Sequence, residues 1–409
     1  MAKEKEEFSF NELNKVMDKT SKFGGIMADG AGVSEITEYI PTGNYALNAC
    51  LTGSLFKGIP NNRSICVSGE SGVGKTYLIL NMCREAQNQG YKIIFYDSEN
   101  AVDINQVTNF GINPYEMRYE PVDTIQNFRT SVTNILDTLI EAKKAGKKIP
   151  KLFIALDSVG NLATAKEVED AKSGSDKADM SRAKIIRSLF RIIMSKMGLI
   201  GASFVFSNHI YMTMDMFAQT VQSGGKGLVY GASIILNLSK AKLKEDGANQ
   251  TGIIVTAKPD KNRFCRPITI KFHISYVHGM NPFVGLEEYI SWDRCGIQRG
   301  KFITDKEFQK LKDKESTEYR ECKDANGEIK YFQPSDSGRN ICCDDGTQYP
   351  LRSLFTKAVF SDERLKRLDT LIKVEFSYPK GVTEEIEALL ESDDEDEENL
   401  DNILLEENN

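Results

Sequence analysis

Apolar positions along this chain follow two periods. Short, nearly continuous apolar runs occur at Ser64–Ser68, Lys92–Tyr96, Leu152–Leu156 and Ser203–Phe206, the pattern of parallel strands covered on both faces. Between them, Thr76–Asn88, Ile125–Ala145 and Ser181–Lys196 carry apolar residues at helical spacing. Strand and helix alternate, which predicts an α/β core with a mainly parallel sheet over residues 39–295. A hairpin is expected late in that core, with Gly252–Thr256 and Pro267–Tyr276 joined through a turn at Lys258 to Arg263. Ahead of the core, Phe8, Phe10, Leu13 and Val16-Met17 have helical spacing, and Gly24-Gly25 and the small residues Ala28 to Gly32 follow. Residues 1–38 therefore read as a small helical appendage that packs on its own core or docks on a neighbouring copy. Residues 296–383 read as a small C-terminal subdomain, with turns at Asn326-Gly327 and Pro334 to Gly338 and a helix around Leu351, Leu354-Phe355 and Val359-Phe360. Residues 384–409 form an acidic tail, in which the run Glu391 to Glu398 repels itself and predicts disorder.

Composition changes the picture in three places. At 409 residues the chain is long enough for two or three units. No apolar run reaches the length of a membrane span and the N-terminus lacks a signal pattern, so a cytoplasmic protein with no membrane partner is expected. Of the eight cysteines, Cys50, Cys66, Cys83 and Cys265 are scattered, as reduced core thiols are. Cys295, Cys322, Cys342 and Cys343 cluster without C-x-x-C spacing, and a zinc site there stays an open alternative. The net charge of −7 hides an asymmetry: Glu384 to Glu407 contain thirteen acids, and setting them aside leaves the body at +6. A basic body with an acidic tail is compatible with a polyanionic partner.

The candidate chemistry sits at the strand ends, where ligands bind in such sheets. Gly69 to Thr76 matches G-x-x-x-x-G-K-[ST], a loop whose backbone N–H groups face phosphate oxygens at a helix start. The candidate nucleotide contacts are Gly69, Glu70, Ser71, Gly72, Val73, Gly74, Lys75, Thr76 and Tyr77. Lys75 would reach the β- and γ-phosphates of ATP, and Thr76 would hold Mg²⁺. The next strands run into Asp97-Ser98-Glu99, Asp157-Ser158 and Asn208-His209. Asp157 suits the second metal acid, Glu99 the base that activates water, and His209 a sensor of the γ-phosphate. Two segments read as mobile. Ala171 to Lys177 is small and polar and leads into a helix bearing Arg182, Lys184, Arg187 and Arg191, which reads as an ordinary amphipathic surface helix. Ile210 to Gly227 carries Tyr211, Met and Phe side chains and a Gly-rich end, suited to single-stranded nucleic acid or to a contact between subunits. The basic residues Lys258, Lys261, Arg263 and Arg266 suit nucleic-acid phosphates, the nucleotide of an adjacent subunit, or a solvated turn.

With these residues assembled, the chain resembles the RecA family of recombinases, most like the UvsX-type recombinases of tailed phages. The resemblance rests on Ile40-Pro41-Thr42-Gly43, Phe95 to Glu99, Asp157 to Leu162, Asp179 to Lys184, Ser188 to Ile192, Asn208-His209, Met216-Phe217 and Gly224-Gly225. It covers roughly residues 35 to 290 and implies a RecA-like P-loop ATPase core. It implies a DNA-dependent ATPase that forms helical filaments on single-stranded DNA, with ATP and Mg²⁺ bound between subunits. Such a protein pairs that strand with homologous duplex DNA and exchanges strands in recombination, repair and recombination-dependent replication. Mediator or loader proteins and single-stranded-DNA-binding proteins are implied as partners. By the same resemblance, Lys261 and Arg263 reach the neighbour's γ-phosphate. Lys172, Ser173, Lys177 and Arg182 would belong to a first DNA-binding loop, and Tyr211, Met216, Phe217, Gly224, Gly225 and Lys226 to a second. The adenine-contact region departs from the family, with Asp103 as its candidate ligand. A hexameric replicative helicase on the same core is the alternative. A binding-only accessory paralogue is a third class, against which Lys75, Glu99 and Asp157 stand. The end of the tail, Leu400 to Leu405, would dock on a partner's basic groove, compete for the protein's own basic loops, or serve solubility alone.

Overall fold

The computed structural model describes residues 9–20, 35–174, 181–212, 220–222, 231–244, 249–312 and 319–378. The core strands are β1 (Tyr39–Ile40), β2 (Ile59–Pro60), β3 (Ser64–Gly69), β4 (Lys92–Asp97), β5 (Met117–Pro121), β6 (Leu152–Asp157), β7 (Ser203–Met212), β8 (Thr220–Gln222), β9 (Ile234–Lys244), β10 (Gln250–Asn262), β11 (Ile270–Ser275) and β12 (Gly279–Met280). The helices of this part are α1 (Phe10–Thr20), α2 (Tyr45–Thr52), α3 (Lys75–Asn88), α4 (Ile104–Asn109), α5 (Ile125–Lys144), α6 (Ala165–Ser173) and α7 (Arg182–Ile200). Ten strands form one sheet in the order β12-β11-β10-β9-β3-β7-β6-β4-β5, with β8 paired to β7. From β9 through β5 the pairing is parallel, and from β9 through β12 it is antiparallel.

Strand alternation sends successive side chains to opposite faces, so this sheet has two cores. Ile65, Val67, Ile93, Phe95, Phe153, Ala155 and Val205 pack under α2 and α3. Cys66, Ile154, Leu156, Phe204 and Phe206 pack under α5 and α7. Several helices begin where a side chain satisfies a free N–H group. Asn44 accepts from Leu47 N at 2.8 Å to start α2, and Thr124 accepts from Asn127 N at 3.2 Å to start α5. Among the described residues no helix is long and apolar enough to cross a membrane, and no residue of α1 is buried.

The structure corrects the reading of three segments. Residues Lys258 to Asn262 are not a turn. They continue β10, paired to β9 as far as Asn262↔Ile234, with an irregularity at Pro259/Lys261 that accommodates the missing proline N–H. The turn formers Pro259, Asp260 and Asn262 had suggested otherwise. The strand at Ser203 runs on to Met212, so Ile210 begins within a strand and pairs back with Gln222. Lys172 and Ser173 close helix α6, which Gly174 ends at φ +70°.

Beyond the core, α8 (Trp292–Cys295), β13 (Ile297–Ile303), α9 (Asp305–Lys312), β14 (Arg320–Lys323), β15 (Ile329–Pro334), β16 (Asn340–Cys343), β17 (Gln348–Pro350) and α10 (Asp362–Phe376) form a lobe around an antiparallel sheet, ordered β14-β15-β13-β16-β17. Asn326-Gly327 is the β14–β15 turn. The helix expected around residues 351–360 is a 3₁₀ turn at Leu351–Ser353, and the long helix follows it, started by Ser361. Leu354, Val359, Phe360, Leu365, Leu368, Ile372 and Phe376 join the core beneath α2. Among the described residues no three His, Cys, Asp or Glu side chains gather as a metal site, the late cysteines included.

Candidate active site and basic cleft

Parallel register brings the predicted strand ends to one edge: Gly69 stands opposite His209, and Asp97 opposite Asp157. A cleft of about 450 Å³ opens there, lined among others by Gly72, Lys75, Thr76, Tyr77, Glu99, Asp157, His209 and Tyr276. The loop geometry requires glycine. A Cβ on Gly69 would lie 2.7 Å from Val73 and 2.9 Å from the Leu238 carbonyl, and Gly74 holds φ +95° as α3 begins.

Lys75 is buried, and its Nζ donates to the carbonyls of Gly69 and Glu70, each at 2.9 Å, with His209 Nδ1 at 3.5 Å. Burial lowers its pKa, against the opposing pull of Asp157 and Glu99. Glu99 Oε1 lies 2.9 Å from His209 Nε2 and accepts from Ser158 Oγ at 2.8 Å. Both contacts of His209 fit one tautomer, with the proton on Nε2 donated to Glu99 and Nδ1 turned to Lys75. Burial raises the Glu99 pKa, but the His209 and Ser158 hydrogen bonds and the Lys75 charge outweigh it and hold the carboxyl below its ordinary value.

Thr76 Oγ1 donates to Asp157 Oδ2 at 2.5 Å, and Ser207 Oγ donates to the other carboxylate oxygen. Burial nevertheless pushes the Asp157 pKa up, and Glu99 and Asp97 add to the rise. A hydroxyl beside a buried carboxylate suits a hard divalent cation. The residues present therefore fit a nucleoside triphosphate with Mg²⁺, held by the loop amides, Lys75, Thr76 and Asp157.

Supporting residues were less legible. Asp97 is buried and accepts from the backbone N–H groups of Glu99, Ala101 and Val102 and from the Tyr119 hydroxyl, at 2.8–3.1 Å, so it shapes the segment that presents Glu99. The Ser98 hydroxyl ties the two strand ends together, donating to the Ser158 carbonyl at 2.7 Å and accepting from Ser158 N at 2.8 Å. The repeated Asp-Ser at 97-98 and 157-158 was the available signal. Lys240 braces the loop through the carbonyls of Ser71 and Gly72, and nothing near it in sequence announced this. Asp103 caps α4 through Gln106 N at 2.8 Å.

Lys261 and Arg263 lie elsewhere. Lys261 pairs with Ile235, whose neighbour on β3 is Cys66, whereas the phosphate loop follows Gly69, three residues further along that strand. Lys261 donates to the Ala232 carbonyl at 2.7 Å, and burial, then Arg263, lower its pKa. Arg263 shares a cleft of about 710 Å³ with Arg63, Arg187, Arg191, Phe190 and Phe264. Arg187 and Arg191, which read as ordinary surface, are thus gathered with Arg263 by the fold.

Of the DNA-contact candidates, Lys172 and Ser173 are exposed at the end of α6. Arg182 turns inward to the Gly160 carbonyl at 2.8 Å and to Glu167 at 3.4 Å. Tyr211 is in β7 opposite Val221. Lys177, Met216, Phe217, Gly224, Gly225 and Lys226 lie outside the described residues, as does the acidic tail.

Residues 9–281 match the family profile of the RecA N-terminal domain. The chain belongs to the RecA family. Among curated RecA relatives, the "Recombination and repair protein" of Enterobacteria phage T4 is 30% identical over 250 residues, which are 60% of this chain and 61% of the relative. A "Protein RecA" of Desulforapulum autotrophicum is 28% identical over 261 residues, 63% of this chain and 71% of that one. The mitochondrial "DNA repair protein recA homolog 3" of Arabidopsis thaliana is 27% identical over 278 residues, 66% of this chain and 61% of that one. The RecA profile ends at Met280-Asn281, so the C-terminal lobe lies outside it.

Proposed function

We propose that this RecA-family chain is an ATP-dependent recombinase that assembles as a filament on single-stranded DNA, pairs it with homologous duplex DNA and exchanges strands. The observation that carries the reading is Glu99 joined to His209 at 2.9 Å beside Lys75. His209 lies in β7, the strand that leads straight into residues 210–227, the candidate second DNA-binding loop. A change at the γ-phosphate therefore reaches the DNA side through one strand. In this reading Lys75 and the loop amides hold the triphosphate, and Glu99 takes the proton of the attacking water. Thr76, with Asp157 behind it, would hold Mg²⁺, which when bound would supply positive charge against the phosphates. Lys261 and Arg263 stand too far along the strand from their own loop and act on the nucleotide of a neighbouring copy. The exposed stripe of α1 suits docking on that neighbour. Mediator or loader proteins, single-stranded-DNA-binding proteins and a cytoplasmic setting belong to the same reading.

The test is electron microscopy of the full chain with ATP and single-stranded DNA, together with a joint-molecule assay using homologous and unrelated duplex. Helical filaments and homology-dependent joints are expected. Closed rings that unwind a forked duplex, or joints independent of homology, would sink the proposal.

A further inference from the structure

The last described helix ends on the strand that carries the trans-acting pair. Tyr378 Oη donates to the Asn262 carbonyl at 2.7 Å, and Arg266 N donates to the Phe376 carbonyl at 2.8 Å. Asn262 stands between Lys261 and Arg263. Its own side chain donates to the carbonyls of Cys50 and Leu51 at 3.0 and 3.1 Å and accepts from Phe264 N at 2.8 Å. The segment is thus gripped from one side by the last turn of α2 and from the other by the end of α10. The three pieces meet closely: a Cβ on Gly53 would lie 3.2 Å from Cys265 and 3.5 Å from Phe376. Asp369 holds α10 in place, accepting from Ser54 Oγ at 2.8 Å and Leu55 N at 2.6 Å while itself buried. None of these hydrogen bonds involves the chain's own phosphate loop.

Resting on the reading that Lys261 and Arg263 act on a neighbour's nucleotide, we infer that Tyr378 is a positioning residue for that pair. The C-terminal lobe, which lies outside the RecA profile, thereby sets the reach of the basic residues across the subunit boundary. A hydroxyl bonded to the carbonyl between them fixes the backbone from which both side chains project. Tyr378 is 45% exposed, so loss of its hydroxyl leaves the packing of the ring in place.

The experiment uses full-length Tyr378→Phe. Thermal melting and binding of a fluorescent ATP analogue by the unassembled chain should match the parent. Turnover stimulated by single-stranded DNA should fall about 2- to 10-fold, the scale of one lost neutral hydrogen bond. Mixing with Glu99→Ala chains, which retain Lys261, Arg263 and Tyr378 but do not hydrolyse ATP, should restore turnover per Tyr378→Phe pocket. A merely structural defect would not be repaired by a neighbour. Unchanged turnover, or a loss that mixing leaves in place, overturns the inference. A Lys261→Ala, Arg263→Ala chain serves as the reference: if mixing fails to rescue it too, the reading of action between subunits has failed, and this inference with it.

Discussion

Glu99 is held by three kinds of force at once: burial, two hydrogen bonds on one oxygen, and the charge of Lys75. The balance keeps it ionised, as a base that receives a proton from water needs to be. Glu99→Ala should reduce ATP hydrolysis about 10²- to 10⁴-fold, the usual worth of a general base, while nucleotide affinity changes little. Steady-state hydrolysis and fluorescent-nucleotide titration check the two halves. Linkage follows from the direction of its shift. A carboxyl depressed in the folded chain contributes stability above its unfolded value, ordinarily 4.5, and loses it as pH falls through the lower folded value. The stability gap between the parent and Glu99→Gln, read by urea unfolding, should therefore be full near neutrality and close below pH 4.5. A gap that widens on acidification would contradict the hydrogen-bond geometry. Lys75→Ala removes a charge-assisted contact worth about 1.5–3 kcal/mol, so nucleotide affinity should fall about 10- to 150-fold.

At the scale of elements, β7 carries the most. It is central in the sheet, packs one face on α5 and α7, and delivers Ser207 and His209 to the site. Phe204 is fully buried among Phe128, Phe190 and Phe206, with ring centroids 5.1–6.2 Å away. Phe204→Ala should cost about 3–5 kcal/mol in chemical denaturation, enough to leave a chain of ordinary stability barely folded. Helix α10 depends on polar contacts as well as burial. Asp369→Ala would strand the Ser54 hydroxyl and the Leu55 N–H, a loss of about 1–3 kcal/mol. Limited proteolysis should then cut within the C-terminal lobe sooner than in the parent. Equal cleavage rates would show that apolar packing alone seats the helix.

For the whole molecule, the decisive arrangement is that the Lys261–Arg263 segment lies two strands from β3 and back along it from the phosphate loop. Three residues along β3, at about 3.3 Å each, separate the Lys261 row at Cys66 from Gly69, where the phosphate loop begins. Under the proposed function, a chain built this way carries two halves of a site, and a neighbouring copy completes each. Total hydrolysis should therefore rise more steeply than linearly with protein concentration until assembly saturates. A strictly constant specific activity across dilution would refute completion by a neighbour. The arginine cleft at Arg263 adds concentrated positive charge beside the Lys261–Arg263 segment. Rising salt should accordingly weaken assembly on DNA, because screening and counterion release act on these groups together.

Much of this was legible in the chain alone. Gly69 to Thr76, the runs ending at Asp97, Asp157 and Asn208, and the helices between them are local patterns, and local periodicity reports burial on one or two faces directly. Strands β5 and β9 were missed. Met-Arg-Tyr-Glu-Pro at the sheet edge has little apolar signal, and Ile234 to Leu238 follows a Gly-rich stretch that reads as loop. The five strands of the C-terminal lobe escaped for a related reason: they are three to seven residues long, and polar and apolar positions alternate in them too briefly to show a pattern. What sequence determined by itself was the set of candidate groups, because phosphate, metal and proton transfer each demand particular side chains at particular strand ends. What only the tertiary structure decided was which groups meet. Register placed His209 against Glu99 and Lys75, an extended β10 carried Lys261 and Arg263 away from their own loop, and α10 folded back to hold the backbone between them. Contacts between residues more than a hundred positions apart leave no local period, since they arise from the packing of whole elements.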